Sequence, residues 1–444
     1  MVHVNIALAS GKHVCLEVRN SCKIGKLKFL AQKALGQGFL KLVSAQGAVL
    51  SDPLQSCRNL GLEDGDHLTA VVQQAKLAAT EGAFALWCYG GDAIVTWGDK
   101  TCGGDSSGVQ HRLRNVQHVQ ATGTAFAAIL GDGSVVTWGN PHHGGDSSAV
   151  QHWLRSVQQV RAATYAFAAI LSDGSVVTWG DPQWGGDSSE VQDELIGVQH
   201  LQGTHRAFAA VLSDGSVVTW GDRQSGGDSS QVKDQLARVQ QIQATNHAFA
   251  AILQDGSVVT WGSEDHGGDS SAVRDQLRNV QQLQATHWAF AAILEDGSVV
   301  TWGTPDSGGD SSAVQEQLRD VRRIKATNHA FAAILEDGMV VTWGFPGYGG
   351  DISGVRKQLS HVQQLQSTNH AFAGLLEDGS VVTWGDPRFG GDSCEVQDQL
   401  RQVQHIEATG HAFAAILSDG SVVTWGSPAS GGSSSAVQDL ISFL

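Results

Sequence analysis

Short apolar segments separated by glycine-rich turns fill most of the chain and recur with a fixed period. The pair Trp-Gly returns every 41 residues, nine times in the 444-residue sequence. In a typical unit, residues 239–279, the segments IQAT, AFAAIL and SVVTWG predict three short strands. Asp255-Gly256 falls between the second and third segments, where glycine readily adopts the positive φ of a tight hairpin turn. The pattern therefore predicts a mainly β array of nine repeats.

Each unit continues past its third strand with a second kind of element. The sequence GGDSS interrupts the strand, and Val273 and Leu277 then lie four residues apart, as on one face of a helix. Serine is a favoured N-cap residue. We therefore expect three short strands and one short helix, capped by serine, in every repeat.

The first 75 residues have a different pattern, which predicts strand, turn, strand, helix, strand and strand. VHVNIAL and HVCLEV alternate apolar and polar residues. Ile24, Leu27, Leu30 and Leu35 fall near one face of a helix, for which Ser21 is a candidate N-cap. LKLVSAQGAVL and DHLTAVV predict the closing strands.

Residues 1–75 resemble ubiquitin over the stretches GKHVCLEV, SCKIGKLKFLAQKAL, LKLVSAQGAVL and LGLEDGDHLTAVV. The resemblance implies a ubiquitin-like β-grasp domain. The segment lacks the terminal Arg-Gly-Gly of a conjugated modifier and runs on as QQAKLAAT, so we do not expect it to be conjugated. The resemblance also implies a candidate ubiquitin-receptor patch at Leu8, Val43 and Thr69, where threonine replaces an aliphatic residue.

Residues 76–444 resemble the repeats of the regulator-of-chromosome-condensation family. The resemblance rests on DGSVVTWG, on the Gly-Gly pair that follows it, and on the strand HAFAAIL. It implies a β-propeller. The units are shorter than the family's, and nine exceeds both the family's usual seven and the four to eight blades of typical propellers. An open β-solenoid is therefore the alternative.

The nine copies differ mainly at two places, the four residues after Trp-Gly and the pair before Ala-Phe. The expected strand directions put both places on one face of the array. A uniform scaffold with one diversified face is typical of a binding surface, although exposed loops also vary without function. The candidate partner-binding residues are His142, His143, Tyr165, Trp184, Arg206, Arg223, His247, His266, Trp288, His329, Tyr348, His370, Arg388, Phe389 and His411.

The repeated tryptophan ends the third strand, and we interpret it as structural, packing between neighbouring repeats. The nine copies are Trp97, Trp138, Trp179, Trp220, Trp261, Trp302, Trp343, Trp384 and Trp425.

Charge and cysteine content limit the partners and the cellular compartment that we expect. The formal net charge is -16; residues 1–75 hold eight Lys/Arg and five Asp/Glu, and the remainder holds 20 and 39. An acidic array repels phosphate backbones, so we expect no nucleic-acid partner. Six cysteines without a CxxC pair favour a reducing compartment, the cytoplasm or nucleus. No apolar run approaches a membrane span, which predicts a soluble protein without a membrane partner.

No catalytic motif stands out from the repeat background. His247, His329, His370 and His411 occupy the same position in four repeats without companion ligands, which does not suggest a metal site. GGDSS lacks the lysine of a phosphate-binding loop. We therefore expect a protein that is not an enzyme and has no metal or cofactor.

Three functions remain open from the sequence. The first is a protein-interaction scaffold, with the repeat face binding a protein and the ubiquitin-like domain linking it to the ubiquitin–proteasome pathway. The second, implied by the family resemblance, is a regulator of a small GTPase through nucleotide exchange, or a non-catalytic subunit of a ubiquitin ligase. The third is a purely structural repeat array.

Overall fold

The N-terminal domain is a helix packed on a mixed sheet. The computed structural model describes residues 1–50, 52, 54–91 and 93–441. Strands β1 (Val2–Leu8), β2 (His13–Val18), β3 (Leu40–Ser44) and β4 (His67–Val72) form one sheet in the order β2-β1-β4-β3. The central pair, β1 and β4, is parallel, and the other pairs are antiparallel. The order of elements, strand, strand, helix, strand and strand, is the one that the sequence predicts.

Helix α1 (Ile24–Leu35) buries the apolar face expected from its spacing. Its predicted cap is wrong. The residue before the helix is Lys23, which makes no side-chain cap hydrogen bond. Ser21 therefore lies too far before the first turn to reach its amides.

The prediction of nine three-stranded repeats is confirmed, and each repeat forms its own antiparallel sheet with the middle strand at the centre. The inner strands are Ala75–Ala79, Val116–Ala121, Val157–Ala162, Val198–Gly203, Val239–Ala244, Val280–Ala285, Val321–Ala326, Val362–Ser367 and Val403–Ala408. The middle strands are Ala83–Cys88, Ala125–Leu130, Ala166–Leu171, Ala207–Leu212, Ala248–Leu253, Ala289–Leu294, Ala330–Leu335, Ala371–Leu376 and Ala412–Leu417. The outer strands are Ile94–Gly98, Val135–Gly139, Val176–Gly180, Val217–Gly221, Val258–Gly262, Val299–Gly303, Val340–Gly344, Val381–Gly385 and Val422–Gly426.

The segments between repeats are 3-10 turns rather than the capped helices that the sequence predicts. One set follows each Trp-Gly: Lys100–Cys102, Pro141–His143, Pro182–Trp184, Arg223–Ser225, Glu264–His266, Pro305–Ser307, Pro346–Tyr348, Pro387–Phe389 and Pro428–Ser430. A second set follows the Gly-Gly pair: Gln110–Arg112, Ser189–Val191, Ser230–Gln235, Ser271–Val273, Ser312–Gln317 and Ser435–Val437. The last of these continues into α2 (Gln438–Ile441).

Aspartate, not serine, caps the start of the turn Ser271–Val273. Asp269 Oδ1 accepts a hydrogen bond from the Ser271 amide at 2.8 Å, as a side chain does in an Asx turn. Ser270, the expected N-cap, makes no cap hydrogen bond. Its hydroxyl instead lies 3.1 Å from Thr260 Oγ1 on the outer strand.

The tryptophan joins each repeat to the one before it. The Trp261 ring stacks on Phe249 of its own repeat, with ring centroids 5.1 Å apart, and its Nε1–H donates to the Gly226 carbonyl of the preceding repeat at 3.1 Å. Gly226 has a φ of +88°, and a Cβ there would lie 2.6 Å from Phe249 Cδ2, so only glycine fits. The same contacts recur around the array, and all nine tryptophans are 4 or 5 % exposed.

The array closes into a ring, so the open solenoid does not describe it. Trp97 of repeat 1 donates to the Gly431 carbonyl of repeat 9 at 3.1 Å, in place of the bond to a preceding repeat. A Cβ on Gly431 would lie 2.6 Å from Phe84 Cδ2, as at the other junctions. One hydrophobic cluster combines residues of both repeats, including Phe84 and Ile416.

The N-terminal domain completes the junction between repeats 9 and 1, which we call the seam. Elsewhere the Asp-Gly turn of one repeat packs on the start of the next; a Cβ on Gly256 would lie 2.8 Å from Asn279 Cα. At the seam, a Cβ on Gly420 would lie 2.8 Å from Gly38 Cα of the N-terminal domain. Phe39 is 3 % exposed and joins the cluster shared by repeats 1 and 9.

Phe39 therefore replaces a residue that repeat 1 lacks. In repeats 2 to 9 the inner strand begins with a buried valine, such as Val280. Repeat 1 has Gln74 at the equivalent position, and its inner strand begins one residue later, at Ala75. The Gln73 amide donates to the Phe39 carbonyl at 2.8 Å, which fixes the borrowed segment.

Within the described residues, no helix is long and apolar enough to cross a membrane.

Candidate binding face

The two faces of the ring carry different loops. The first residue of the middle strand pairs with the last residue of the outer strand, as Ala248 does with Gly262. The turn before Ala-Phe and the loop after Trp-Gly consequently lie on one face, which we call the turn face. The Asp-Gly hairpins lie on the other, the hairpin face. Both variable segments thus share the turn face.

A ring of nine residues surrounds the central opening on the turn face. The amide of each donates to the carbonyl of its neighbour in the next repeat, at 2.7–3.3 Å, and the ring closes where Gly410 donates to Glu81. We call these residues the mouth ring: Glu81, Gly123, Thr164, His205, Asn246, His287, Asn328, Asn369 and Gly410. The cavity that they and the preceding residues line has a volume of about 490 Å³.

A buried threonine locks the two variable segments together in most repeats. Thr245 Oγ1 accepts a hydrogen bond from the Ala248 amide at 2.9 Å and donates to the His266 carbonyl at 3.0 Å. Repeat 3 has Ala163 instead. These bonds hold the loops in fixed positions, so the face is largely ordered before any partner binds.

The side chains on this face form a nearly continuous row of rings, which we call the aromatic arc. Successive ring centroids lie 3.8–6.0 Å apart, within the range of aromatic contacts. The arc runs from repeat 2 to repeat 9 through His143, Tyr165, Trp184, His205, His247, His266, Trp288, His329, Tyr348, His370, Phe389 and His411. All of these side chains are half-buried.

Four candidate residues from the sequence lie beside the arc rather than in it. Arg206 stacks over the Trp184 ring, with its guanidinium carbon 4.3 Å from the ring centroid. Arg388 pairs with Asp386 at 2.7 Å. His142 and Arg223 are exposed on the loops after Trp-Gly. Together with the arc they span the turn face.

Burial lowers the pKa of several histidines on this face. Burial, with nearby His247 and Arg206, lowers the pKa of His205 to about 4. Burial, with neighbouring histidines, lowers the pKa of His287 to about 3. Burial also lowers the pKa of His247 and His329. At neutral pH these four histidines are therefore mostly uncharged rings that can both donate and accept hydrogen bonds.

His205 and His287 are not among the candidate residues from the sequence. Both stand in the variable pair before Ala-Phe, as its first residue. The first residue of that pair builds the mouth ring in every repeat. Aligning the nine copies at this position would have identified it.

The proposed receptor patch of the N-terminal domain is not a single surface. Val43 and Thr69 are cross-strand partners on the outer face of the sheet, and Ala7 pairs with Thr69 on the other side. Leu8 points to the opposite face, where it is 8 % exposed in the domain core. Side chains alternate along a strand, so the extra residue in the first turn exchanges Leu8 for Ala7.

Among the described residues, no group of three or more His, Cys, Asp and Glu side chains is placed to hold a metal ion. The four histidines that share one position of the repeat are separated by other rings of the arc, such as Tyr348 between His329 and His370.

No family model and no curated protein matches this chain. Several solved structures are similar at low identity. Prp20p from Saccharomyces cerevisiae, the yeast protein of the regulator-of-chromosome-condensation family, is 15% identical over 70% of this chain and 82% of its own, with a TM-score of 0.38. The computationally designed protein Ika8 is 14% identical over 70% and 96%, with a TM-score of 0.35. The ectodomain of the Arabidopsis thaliana receptor kinase ACR4 is 18% identical over 59% and 93%, with a TM-score of 0.34. Similarities at this level carry no argument about function.

Proposed function

We propose that this protein is a binding scaffold that holds a protein partner on its turn face. The aromatic arc is the observation that carries the proposal. Aromatic rings contribute much of the binding energy at protein interfaces, because they bury a large area with few rotatable bonds. A row of such rings covers seven junctions of one face, whereas the hairpin face carries Asp-Gly turns with exposed acidic side chains.

The rigidity of the ring supports the same function. Three sets of hydrogen bonds fix the loops relative to one another: those of the buried threonines, those between backbone amides and carbonyls in the mouth ring, and those from each tryptophan Nε1–H to a glycine carbonyl of the neighbouring repeat. A preformed surface loses little conformational entropy on binding. The charge of the array, 20 Lys/Arg against 39 Asp/Glu in residues 76–444, argues against nucleic acid as the partner.

Affinity enrichment with three baits tests the proposal. We would compare the wild-type chain, the double variant Trp288→Ala/Tyr348→Ala on the turn face, and the control Glu295→Ala/Glu336→Ala on the hairpin face. We expect the control to retain the partners of the wild type and the turn-face variant to lose them by about tenfold or more, as for interface hot spots. Partners retained by both variants would refute the proposal.

We further propose that the N-terminal domain connects the scaffold to a ubiquitin-pathway receptor through the row Ala7, Thr69 and Val43. Deleting the domain is a poor test, because it also removes Phe39 from the seam. The substitution Val43→Asp places a charge on the half-buried outer face without touching the seam. If the receptor link is correct, this variant loses proteasomal or ubiquitin-receptor partners and keeps those of the turn face; unchanged receptor binding would refute it.

A further inference from the structure

The aromatic arc has a gap at the seam. It begins at His143 in repeat 2 and ends at His411 in repeat 9. Across repeat 1, the corresponding positions of the turn face hold Glu81, Gly82 and the loop Lys100–Cys102, none of which is aromatic. Gly82, Gly123 and Gly410 leave no side chains around the mouth ring there. We call this gap the notch. It connects the rim of the turn face with the central opening.

Glu81 lies at the inner end of the notch as the one charged member of the mouth ring at neutral pH. The other eight residues are Gly, Thr, Asn and the two neutral histidines His205 and His287. The carboxylate makes no hydrogen bond or ion pair with the described residues; His411 Nδ1 instead contacts the Glu81 carbonyl, at 3.2 Å. The side chain is exposed; partial desolvation raises the pKa of its carboxyl group, and nearby His411 opposes that shift.

The residues that line the notch favour the binding of a cation. Tyr165 borders the notch, since it follows Thr164, whose carbonyl accepts a hydrogen bond from the Gly123 amide at 2.7 Å; burial and then the Glu81 carboxylate raise the pKa of its phenol. A cation at the carboxylate would therefore also lie near an aromatic ring, which attracts it. The floor is narrow, because a Cβ on Gly123 would lie 3.2 Å from Glu81 Oε1. An unpaired carboxylate forms its strongest hydrogen bonds with a charged donor.

We propose that the notch receives a lysine or arginine side chain from an extended segment of the partner protein. This inference rests on the proposed function and specifies the chemistry of the partner. The ammonium or guanidinium group pairs with Glu81, and the residues on either side of it lie along the aromatic arc. The acidic charge of the repeats attracts such a basic segment at long range, which raises the rate of association.

Fluorescence anisotropy with the full chain tests this pairing. The probe is a fluorescein-labelled, capped Gly/Ser peptide with several lysines, and its matched control carries norleucine in their place. We expect the lysine peptide to bind, the norleucine peptide to bind on the order of tenfold more weakly or not at all, and Glu81→Gln to weaken lysine-peptide binding on the order of tenfold. Glu295→Gln, on the hairpin face, is the matched control and leaves binding unchanged.

A second variant separates steric access from charge. Gly123→Leu fills the notch beside the carboxylate while Glu81 remains, and we expect it to weaken lysine-peptide binding as Glu81→Gln does. Thermal melting checks that each variant is folded. Equal losses in Glu81→Gln and Glu295→Gln would overturn the inference, since they would indicate non-specific attraction to an acidic surface. Free spermidine that competes as well as the peptide would overturn the assignment of a chain segment.

The two proposals can fail separately. If enriched partners depend on Trp288 and Tyr348 while Glu81→Gln leaves both those partners and peptide binding unchanged, the notch inference fails and the binding face stands. If no partner depends on the arc, the proposed function fails whatever the peptide does.

Discussion

Removing the Phe39 side chain should destabilise the ring locally, at the seam between repeats 9 and 1. Phe39 is 3 % exposed and lies among residues of repeats 1 and 9, where it fills the position that a buried valine holds at the other junctions. Truncating a buried phenylalanine to alanine costs about 3–5 kcal/mol, through lost apolar burial and the cavity that remains. We expect Phe39→Ala to destabilise the seam by this amount.

Hydrogen exchange can locate that loss. The Gly410 amide donates to the Glu81 carbonyl across the seam at 3.1 Å, while the Asn246 amide donates to His287 far from it at 2.9 Å. A local loss of 3–5 kcal/mol corresponds to an exchange rate about 10² to 4 × 10³ times faster at the seam amide. The interior amide should change much less.

The same substitution at an exposed position provides the control. Phe345 is 48 % exposed on the turn face, and Phe345→Ala should change stability by no more than about 0.5 kcal/mol. The reasoning is refuted if Phe39→Ala leaves exchange at Gly410 unchanged, or if it accelerates exchange equally in every repeat. Either result would mean that the N-terminal domain does not complete the ring.

Three further predictions concern single positions and can be measured by chemical or thermal unfolding. Gly267→Ala should strongly destabilise the folded ring, because the φ of Gly267 is +92° and the new Cβ would lie 2.6 Å from a phenylalanine ring of the next repeat. Gly354→Ala, with open space around the new Cβ, should be nearly neutral, and equal effects of the two substitutions would contradict this. Trp261→Ala should cost about 3–5 kcal/mol, and Trp261→Phe about 1–3 kcal/mol because a buried carbonyl loses its donor; an unchanged unfolding curve for either would be inconsistent with the junction described above. Acidification should destabilise the ring, because folding lowers the pKa of His205 to about 4 and of His287 to about 3, and the unfolded chain therefore binds more protons below about pH 6.5. Between pH 6.5 and 5 the free energy of unfolding should fall by on the order of 2 kcal/mol per histidine. His205→Asn should reduce this pH dependence.

Much of the repeat fold could be predicted from the sequence because its signals are local. The Asp-Gly turns, the alternation in SVVTWG and the period of 41 residues identify strands, hairpins and repeat number. The short helices were harder, because GGDSS contains both serine and aspartate, and both can bond to nearby amides. Geometry decides between them, since Asp269 reaches the Ser271 amide and Ser270 is drawn to Thr260.

Ring closure and the seam could not be predicted, because they depend on contacts between distant parts of the chain. Trp97 and Gly431 are 334 residues apart, and nothing local distinguishes Trp97 from the other tryptophans. The borrowed residue Phe39 belongs to a segment with its own fold, so no repeat pattern includes it. The missing valine at the start of repeat 1 is the one sequence signal, and it becomes meaningful only once the ring is known to close.

The candidate face could be predicted in position but not in organisation. Strand directions put the two variable segments together, as the pairing of Ala248 with Gly262 now shows in detail. The continuity of the rings depends on side-chain placement between repeats, such as His143 against Tyr165 at 3.8 Å. On the N-terminal domain, one residue of turn length decided whether Leu8 or Ala7 faces outward.

Hydrogen exchange of the full chain, with and without a partner obtained by enrichment, tests the binding face most directly. The account predicts slower exchange on the turn face, at the turns before Ala-Phe and the loops after Trp-Gly in repeats 2 to 9, with the hairpin face unchanged. Protection confined to the Asp-Gly hairpins or to the N-terminal domain would contradict it.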